Sequence, residues 1–295
     1  MPDPVDLLLI TRNRRQYLEH SIRALLATDS HFRLYCWDNG STDGTADVIA
    51  SLNDPRITSK HYSSTNMNQT HPCLWFLEKS RASIVGKLDD DNLLPAGWIE
   101  RLAPLVRDNV RLGMLGAWTF MPNDFYPDLA RKNVVRIGAA EILRATHIAG
   151  CSFLSRKEHL QRYLCPRVNG LPVDRIQMTR DGLISGYPLP LIEAHNMDDP
   201  RSPHCLYTRT DTLHPSASFT ARRLGFSSPE EYAEWIASNA YFQQRYSVSV
   251  QLWWTHIERS RAAWARIASR LLEPWKPQGL NLRRRRRPRL PARTT

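Results

Sequence analysis

The chain has 295 residues, of which 42% are hydrophobic, and it carries a formal net charge of +11. That length suits one large α/β domain or two small ones, with enough apolar residues for a sizeable core. No apolar run approaches the roughly 18 residues of a membrane-spanning helix, and the N-terminal segment lacks the positive region of a signal peptide.

The positive charge is concentrated at the C-terminal end of the chain. Residues 245–295 contain 13 Lys and Arg against two Glu, so the preceding part of the chain is neutral. The five cysteines are scattered and show no CxxC spacing. This favours reduced thiols in a cytosolic protein over a disulfide framework or a zinc site.

Strand and helix patterns alternate over roughly the first 100 residues. The apolar run Val5–Ile10 predicts a buried strand, and the helical spacing of apolar residues between Tyr17 and Leu26 predicts a helix after it. The later predicted strands are Phe32–Trp37, Ile57–Tyr62 and Ala82–Leu88. The later predicted helices are one capped by Ser41 or Thr42, one at Pro72–Lys79 and one that starts at Pro95. The alternation predicts βαβ units in a doubly wound, mostly parallel sheet flanked by helices.

The remainder of the chain is less periodic. It contains a predicted strand at Ile148–Leu154, a predicted helix at Asp174–Ser185 and a helical pattern from Ser227 to Leu272. We predict one domain over 1–210, in two halves (1–110 and 111–210). We further predict a helical extension over 211–275 and a basic, disordered tail over 276–295.

Three polar clusters follow predicted strands: Thr11–Arg14, Asp38–Asp43 and Asp89–Asn92. Ligands of open parallel sheets bind at the carboxyl ends of the strands, so the clusters are expected to meet in one crevice. An isolated run of three acids is most often a solvated turn. Here the context favours a site for Mg²⁺ or Mn²⁺, because hard cations prefer oxygen ligands and offset the repulsion between carboxylates.

These segments resemble the family 2 glycosyltransferases of the GT-A fold in order and spacing. The resemblance rests on Leu-Ile-Thr-Arg-Asn-Arg, Trp-Asp-Asn-Gly-Ser-Thr-Asp-Gly-Thr and Lys-Leu-Asp-Asp-Asp-Asn, and continues more faintly from Ala149 to about His195. It implies a Rossmann-type sheet and a nucleotide-sugar donor held with a divalent metal. It also implies that 1–210 is the catalytic domain, with 1–110 as its nucleotide-binding half and 111–210 as its acceptor-binding and catalytic half. The residues that it implies for the nucleotide-sugar are Thr11, Asn13, Arg14, Asp38, Asp89 and Asp90. It implies that Asp91 binds the metal directly.

The resemblance also implies a carboxylate base about a dozen residues before a Gly-Tyr pair. Asp174 lies 12 residues before Gly186, which precedes Tyr187. The alternative for Asp174 is that it caps the helix that follows, and Asp181 is a competing base.

Two residues after the Gly-Tyr pair complete the predicted site. A lone histidine is more often structural, but the spacing of His195 matches a third metal ligand in related enzymes, and imidazole favours Mn²⁺ over Mg²⁺. Arg201, in a loop with Asp198 and Asp199, is predicted to neutralise the donor diphosphate.

The C-terminal segment from Tyr241 to Trp275 mixes aromatic and apolar residues with arginines. It is either a helix packed on the domain with an Arg-rich solvent face, or a basic amphipathic helix on an anionic membrane, which gains about 1 kcal/mol per charge near the surface. An arginine tail also suits nucleic acid, but no recognised nucleic-acid motif accompanies it. The membrane alternative corresponds to a cytoplasmic enzyme on the inner face of the membrane.

The sequence therefore predicts a hexosyltransferase-type enzyme, most simply with a UDP-sugar donor and a carbohydrate or lipid-linked acceptor. The runner-up is a sugar-phosphate nucleotidyltransferase, whose usual Gly-rich loop is absent from Thr11–Arg14. The non-enzyme alternative is a module that binds membrane or nucleic acid through its basic tail.

Overall fold

The computed structural model describes residues 3–148, 152–166, 170–206, 219–255 and 257 of the chain. The strands are β1 (Val5–Thr11), β2 (Phe32–Asp38), β3 (Ile57–Tyr62), β4 (Ile84–Asp89), β5 (Asn92–Leu93), β6 (Leu112–Gly116), β7 (Val134–Ile137), β8 (Ala140–Arg144), β9 (Ser152–Arg156), β10 (Ile184–Leu189) and β11 (His195–Asn196). The helices are α1 (Arg15–Leu26), α2 (Thr45–Ser51), α3 (Thr70–Lys79), α4 (Trp98–Asp108), α5 (Pro127–Ala130), α6 (Lys157–Arg162), α7 (Arg175–Arg180), α8 (Phe219–Leu224) and α9 (Pro229–Arg245).

The described strands form a nine-stranded central sheet in the order β3-β2-β1-β4-β9-β6-β10-β8-β7. Strands β8 and β9 run against the others, so the sheet is mixed but mostly parallel in direction. The short strands β5 and β11 form a separate antiparallel pair beside the end of β4. The predicted α/β fold with a mostly parallel sheet is confirmed.

The apolar runs of the first strands explain why this sheet is covered on both faces. Successive side chains of a strand point to opposite faces. Leu7 and Leu9 accordingly pack in one core cluster, together with Trp98 of α4, whereas Leu8 packs in a second cluster with Phe76 of α3. Strands buried on both faces have nearly continuous apolar sequences, as β1 does.

Several predicted element boundaries are wrong. Helix α2 begins at Thr45 behind Gly44 (φ +86°), so neither Ser41 nor Thr42 caps it. Helix α4 begins at Trp98 behind Gly97 rather than at Pro95. Helix α7 ends at Arg180 instead of continuing to Ser185, because the chain turns at Gly182 (φ +87°) and enters β10.

The C-terminal helical region packs on the rest of the fold through buried amides. Ser228 caps α9 by accepting a hydrogen bond from the backbone N–H of Glu231. On α9, Gln244 accepts from the backbone N–H of Tyr126 at 2.6 Å. In the helical stretch 248–255, Gln251 accepts from the backbone N–H of Thr146 at 3.1 Å. The predicted basic tail, 276–295, lies outside the described residues.

Within the part of the chain that the structure describes, no helix is long and apolar enough to cross a bilayer.

Candidate active site

The three polar clusters lie side by side at one edge of the sheet, which we call the carboxyl edge. In the ladder between β1 and β2, Thr11 is opposite Asp38. In the ladder between β1 and β4, Ile10 is opposite Asp89. Neighbouring strands lie about 4.8 Å apart, so side chains separated by dozens of residues in sequence are neighbours here. The predicted convergence of these strand ends is observed.

Hydrogen bonds join the turn after β1 to the turn after β2. Asn13 (φ +50°) donates its backbone N–H to Ser41 Oγ at 2.9 Å, and its side-chain oxygen accepts from the backbone N–H of Thr42 at 2.7 Å. Asp38 accepts from the backbone N–H of Ser41 through Oδ2 at 3.0 Å. The other carboxylate oxygen of Asp38 is buried and has no hydrogen-bond partner among the described residues. That oxygen is an acceptor available to a ligand.

Asn39 fixes the segment that follows β3 against this turn. Its amide nitrogen donates to Asn66 Oδ1 and to the backbone carbonyl of Asn68, both at 3.0 Å. Its side-chain oxygen accepts from the backbone N–H of Met67 at 2.8 Å. Asn39 is missing from the predicted site residues because its partners lie in a segment with no strand or helix pattern.

Arg14 lies among three carboxylates. Its Nη2 is 2.8 Å from Asp91 Oδ2 and 3.3 Å from Asp198 Oδ1, and its Nε is 3.6 Å from Asp90 Oδ1. The guanidinium stacks over the Tyr17 ring at 4.0 Å. Tyr17 Oη in turn donates to Asp198 Oδ1 at 3.0 Å. Neither Tyr17 nor Asp198 is among the predicted ligand-binding residues.

Burial and charge act in opposition in this cluster. Burial raises the pKa of Asp90 to about 6, although Arg14 and the hydrogen bond donated by Thr11 at 2.5 Å act to lower it. Burial likewise raises the pKa of Asp91, against the effect of Arg14. Burial disfavours the charged form of Arg14, but Asp198, Asp90 and Asp91 outweigh it and raise its pKa. The cluster of Arg14 with its three carboxylates therefore carries too little positive charge to balance its negative charge.

The oxygen donors near Asp91 suit a hard divalent cation. Asp91 Oδ1 accepts from Asn92 Nδ2 at 2.5 Å, while Asn92 Oδ1 is buried without a hydrogen-bond partner in the described residues. Asp89 forms an ion pair with Lys87. The described residues contain no cluster of three or more His, Cys, Asp or Glu side chains ready to enclose a metal. Mg²⁺-type sites often use one or two carboxylates and complete their shell with substrate phosphates and water, so the residues present fit such an ion.

His195 lies beside this cluster through its backbone. It pairs with Leu93 across the short ladder, and the next pair is Asn196 with Asn92. The imidazole is exposed and lies 4.4 Å from the ring of His204. Partial desolvation by its neighbours and the nearby His204 lower the pKa of His195, which keeps the ring neutral and able to coordinate a metal. The role of His195 as a ligand stays a prediction.

Arg201 is engaged by two buried carboxylates. Its guanidinium contacts Asp124 at 2.8 and 2.9 Å and Asp199 at 2.7 and 3.0 Å. These contacts join the segment before α5 to the segment after β11. The guanidinium is thus paired within the protein, and its predicted contact with a diphosphate stays a prediction.

Asp174 caps α7. Its side chain accepts from the backbone N–H of Gln177 at 3.2 Å. Arg175 donates to the backbone carbonyl of Ile148, which packs near the end of β6, whereas Met178 packs near the start of β6. The N-terminus of α7 therefore faces towards the carboxyl edge, where β6 ends. The competing base Asp181 accepts hydrogen bonds from the Tyr163 hydroxyl and Gln177 Nε2, both at 2.7 Å.

Residues 6–164, more than half of the chain, match the family model described as glycosyl transferase family 2. The chain belongs to this family. Membership favours glycosyl transfer over the nucleotidyltransferase and the non-catalytic module. No curated protein matches the chain significantly by sequence.

Solved structures share the fold at low sequence identity. One is the mannosyltransferase PcManGT from Pyrobaculum calidifontis in complex with GDP-Man and Mn²⁺, with 16% identity, a TM-score of 0.55, and coverage of 93% of this chain and 89% of that one. Another is S. aureus TarS 1–349 in complex with UDP-GlcNAc, with 12% identity, a TM-score of 0.52, and coverage of 81% and 72%. The glycosyltransferase therefore has a GT-A-like fold.

Proposed function

We propose that this glycosyltransferase moves a hexose from a nucleoside-diphosphate sugar to an acceptor hydroxyl, with inversion and with a divalent cation held at Asp91. The observation that supports this most strongly is the meeting of Thr11, Asp38 and the Asp89–Asp91 run at one edge of the sheet. Each of these lies at the carboxyl end of a strand, where open α/β sheets bind their ligands.

The unpaired oxygen of Asp38 supports a nucleotide at this edge. A buried carboxylate oxygen without a partner is costly, and an N–H of a base or a ribose hydroxyl would satisfy it. Thr11 is opposite Asp38, and Asn13 contacts the turn that follows β2. Asp89 ends β4 on the other side of β1 and Asp90 follows it, and we propose that both contact the donor sugar. The structural neighbours were solved with GDP-Man and UDP-GlcNAc. We assign a UDP-sugar as the donor.

A bound Mn²⁺ or Mg²⁺ would supply positive charge to the departing nucleoside diphosphate. Asp91 would hold it, with Asn92 Oδ1 and His195 as adjacent donors. Arg201 would assist only if it released one of its two carboxylate partners.

Asp174 would act as the base that takes a proton from the acceptor hydroxyl. Its half-buried carboxylate lies at the N-terminus of α7, the end nearer the carboxyl edge. The hydrogen bond from the Gln177 N–H uses one carboxylate oxygen and fixes the side chain in position. Capping and proton transfer are compatible in this geometry, since a carboxylate has two oxygens.

We propose that the acceptor is a carbohydrate or is lipid-linked, and that the enzyme works in the cytoplasm on the inner face of the membrane. Val250 and Trp253 are exposed at helical spacing in the stretch 248–255, Tyr246 is exposed just before it, and Trp253 is 62% exposed. The following sequence, 259–293, contains 12 Lys and Arg. Apolar side chains followed by basic ones suit an anionic lipid surface.

Flotation with phosphatidylglycerol vesicles tests this surface. Trp253→Ser should reduce the bound fraction, as should replacement of the arginines at 283–287 by Gln. Val110→Ser is the matched control, because Val110 is also 62% exposed but lies just before β6, outside the C-terminal region. Equal binding by all variants would contradict the membrane proposal.

A thermal-shift panel of UDP, GDP, dTDP and CMP, with and without Mn²⁺, tests the donor proposal. A Mn²⁺-dependent stabilisation by one nucleoside diphosphate is expected. Stabilisation by nucleoside triphosphates instead would favour the nucleotidyltransferase, and no response to any nucleotide would favour a non-catalytic module.

A further inference from the structure

The buried guanidinium of Arg14 occupies the position at which a cation would be expected to neutralise the acidic cluster. Its side chain is 12% exposed and bridges Asp91 and Asp198 through one nitrogen. The guanidinium stacks on the Tyr17 ring, and the backbone N–H of Arg14 donates to Thr45 Oγ1. A side chain fixed on several sides does not withdraw without loss of these contacts.

A divalent cation at Asp91 has to share this carboxylate with Arg14. The Oδ2 atom that Arg14 contacts is one of only two oxygens of Asp91, and the other accepts from Asn92. Two cations on one half-buried carboxylate repel each other strongly, because the local dielectric constant is well below that of water. Arg14 therefore either leaves Asp91 or weakens the binding of the ion.

We infer that Arg14 is a built-in counter-charge that opposes the divalent cation at Asp91 until the donor diphosphate arrives. This rests on the proposed function, which places the cation at Asp91. The diphosphate contributes negative charge that balances the ion and Arg14 together. Tight cation binding is thereby made dependent on the nucleotide, and Arg14 offsets part of the negative charge of the cluster when no metal is bound.

Binding of Mn²⁺ alone, followed by electron paramagnetic resonance of the free ion, tests the inference. Arg14→Met should bind Mn²⁺ at least about tenfold more tightly than the wild type, the lower end of couplings measured between close charge pairs. Arg14→Lys should show a smaller gain, since an ammonium keeps the charge but lacks the planar fork. Arg15→Met is the matched control, because it removes the same charge from the next residue. The Arg15 side chain is 57% exposed and pairs with Glu19, outside the acidic cluster.

The same titration with UDP separates the possible outcomes. UDP should tighten Mn²⁺ binding far more in the wild type than in Arg14→Met. If the wild type binds Mn²⁺ with UDP but Arg14→Met shows equal or weaker affinity for Mn²⁺ alone, Arg14 only positions the carboxylates and the inference is wrong. If neither protein binds Mn²⁺ with or without UDP, the metal part of the proposed function fails as well.

Two measurements show whether Arg14→Met still folds, independently of the Mn²⁺ titration. Circular dichroism checks the fold, and the rise in Tm on adding Mn²⁺ should be larger for either Arg14 variant than for the wild type. An equal rise in all proteins would overturn the inference even if Arg14→Met is too unstable for titration.

Discussion

Replacing Arg201 by Met tests whether its guanidinium stabilises the fold through ion pairs or contacts the nucleotide-sugar. Its guanidinium forms ion pairs with Asp124 and Asp199, whose side chains are 4% and 1% exposed. Removing one partner of a buried ion pair costs about 3–5 kcal/mol, because the remaining charge is left without compensation. The Arg201 side chain is 30% exposed, so we expect the lower end of that range, about 3 kcal/mol.

Thermal and urea unfolding of the metal-free protein measure this change. A loss of about 3 kcal/mol corresponds to a fall in Tm of about 6–12 °C for a domain of this size. Adding Asp124→Asn to Arg201→Met should restore part of the stability, since one uncompensated charge is then removed. Arg15→Met, at an exposed pair, should leave the Tm almost unchanged.

The affinity of Arg201→Met for nucleoside diphosphates can refute this reasoning. If Arg201 is a structural clamp, Arg201→Met lowers stability and the double variant recovers it. An Arg201→Met protein with unchanged Tm but much weaker nucleoside-diphosphate binding would show that the guanidinium serves the donor, and the reasoning from its contacts would be wrong.

Three further predictions follow from particular side chains. The pKa of Asp90 is raised from 3.8 to about 6, so the folded state holds a proton that the unfolded state lacks between these values. The free energy of unfolding therefore falls by on the order of 2 kcal/mol as the pH rises through that window. Metal-free Asp90→Asn has no ionisable group at this position, so its free energy of unfolding should fall correspondingly less between pH 4.5 and 7. A Cβ on Gly186 would lie 2.0 Å from the carbonyl oxygen of Leu143, so Gly186→Ala should cost at least about 3 kcal/mol in urea unfolding. Gly138→Ala, with open space but φ +59°, should cost only about 1 kcal/mol. Asp174→Asn keeps an N-cap acceptor, so Tm should hold while the transfer rate falls at least about 100-fold, and near-normal transfer would contradict its role as base.

The strands of the first half were predictable because their signals are local. Val5–Ile10 and Phe32–Trp37 are apolar runs that end in polar turns, and the observed strands β1 and β2 match them within a residue. Parallel pairing then places Thr11 beside Asp38 without further information. The nucleotide half of the candidate site follows from these two facts.

Long-range contacts were not predictable in this way. Tyr17 and Asp198 are 181 residues apart, and no periodicity in either segment indicates that they meet. Strands β5 and β11 have two residues each, too few to show alternation. The pairing of Arg14 with Asp198 and the position of His195 beside Leu93 are consequences of that short ladder.

Turn chemistry explains the boundary errors. A hydroxyl before an apolar helical pattern is a common cap, yet the chain passes through Gly44 at φ +86° before α2. Asp43 instead accepts from the backbone N–H of Thr45 at 3.0 Å. Which of several adjacent polar residues provides the cap depends on the backbone path, and the path is fixed by the contacts of Asn13 with Ser41 and Thr42.

Release of nucleoside diphosphate from a panel of nucleotide sugars, with acceptor hydroxyls present, tests the central claim most directly. Wild-type protein with Mn²⁺ should turn over sugars of one nucleotide class, and EDTA or Asp91→Ala should abolish release. Turnover that survives both treatments would show that the carboxyl edge around Asp91 is not where the sugar donor reacts.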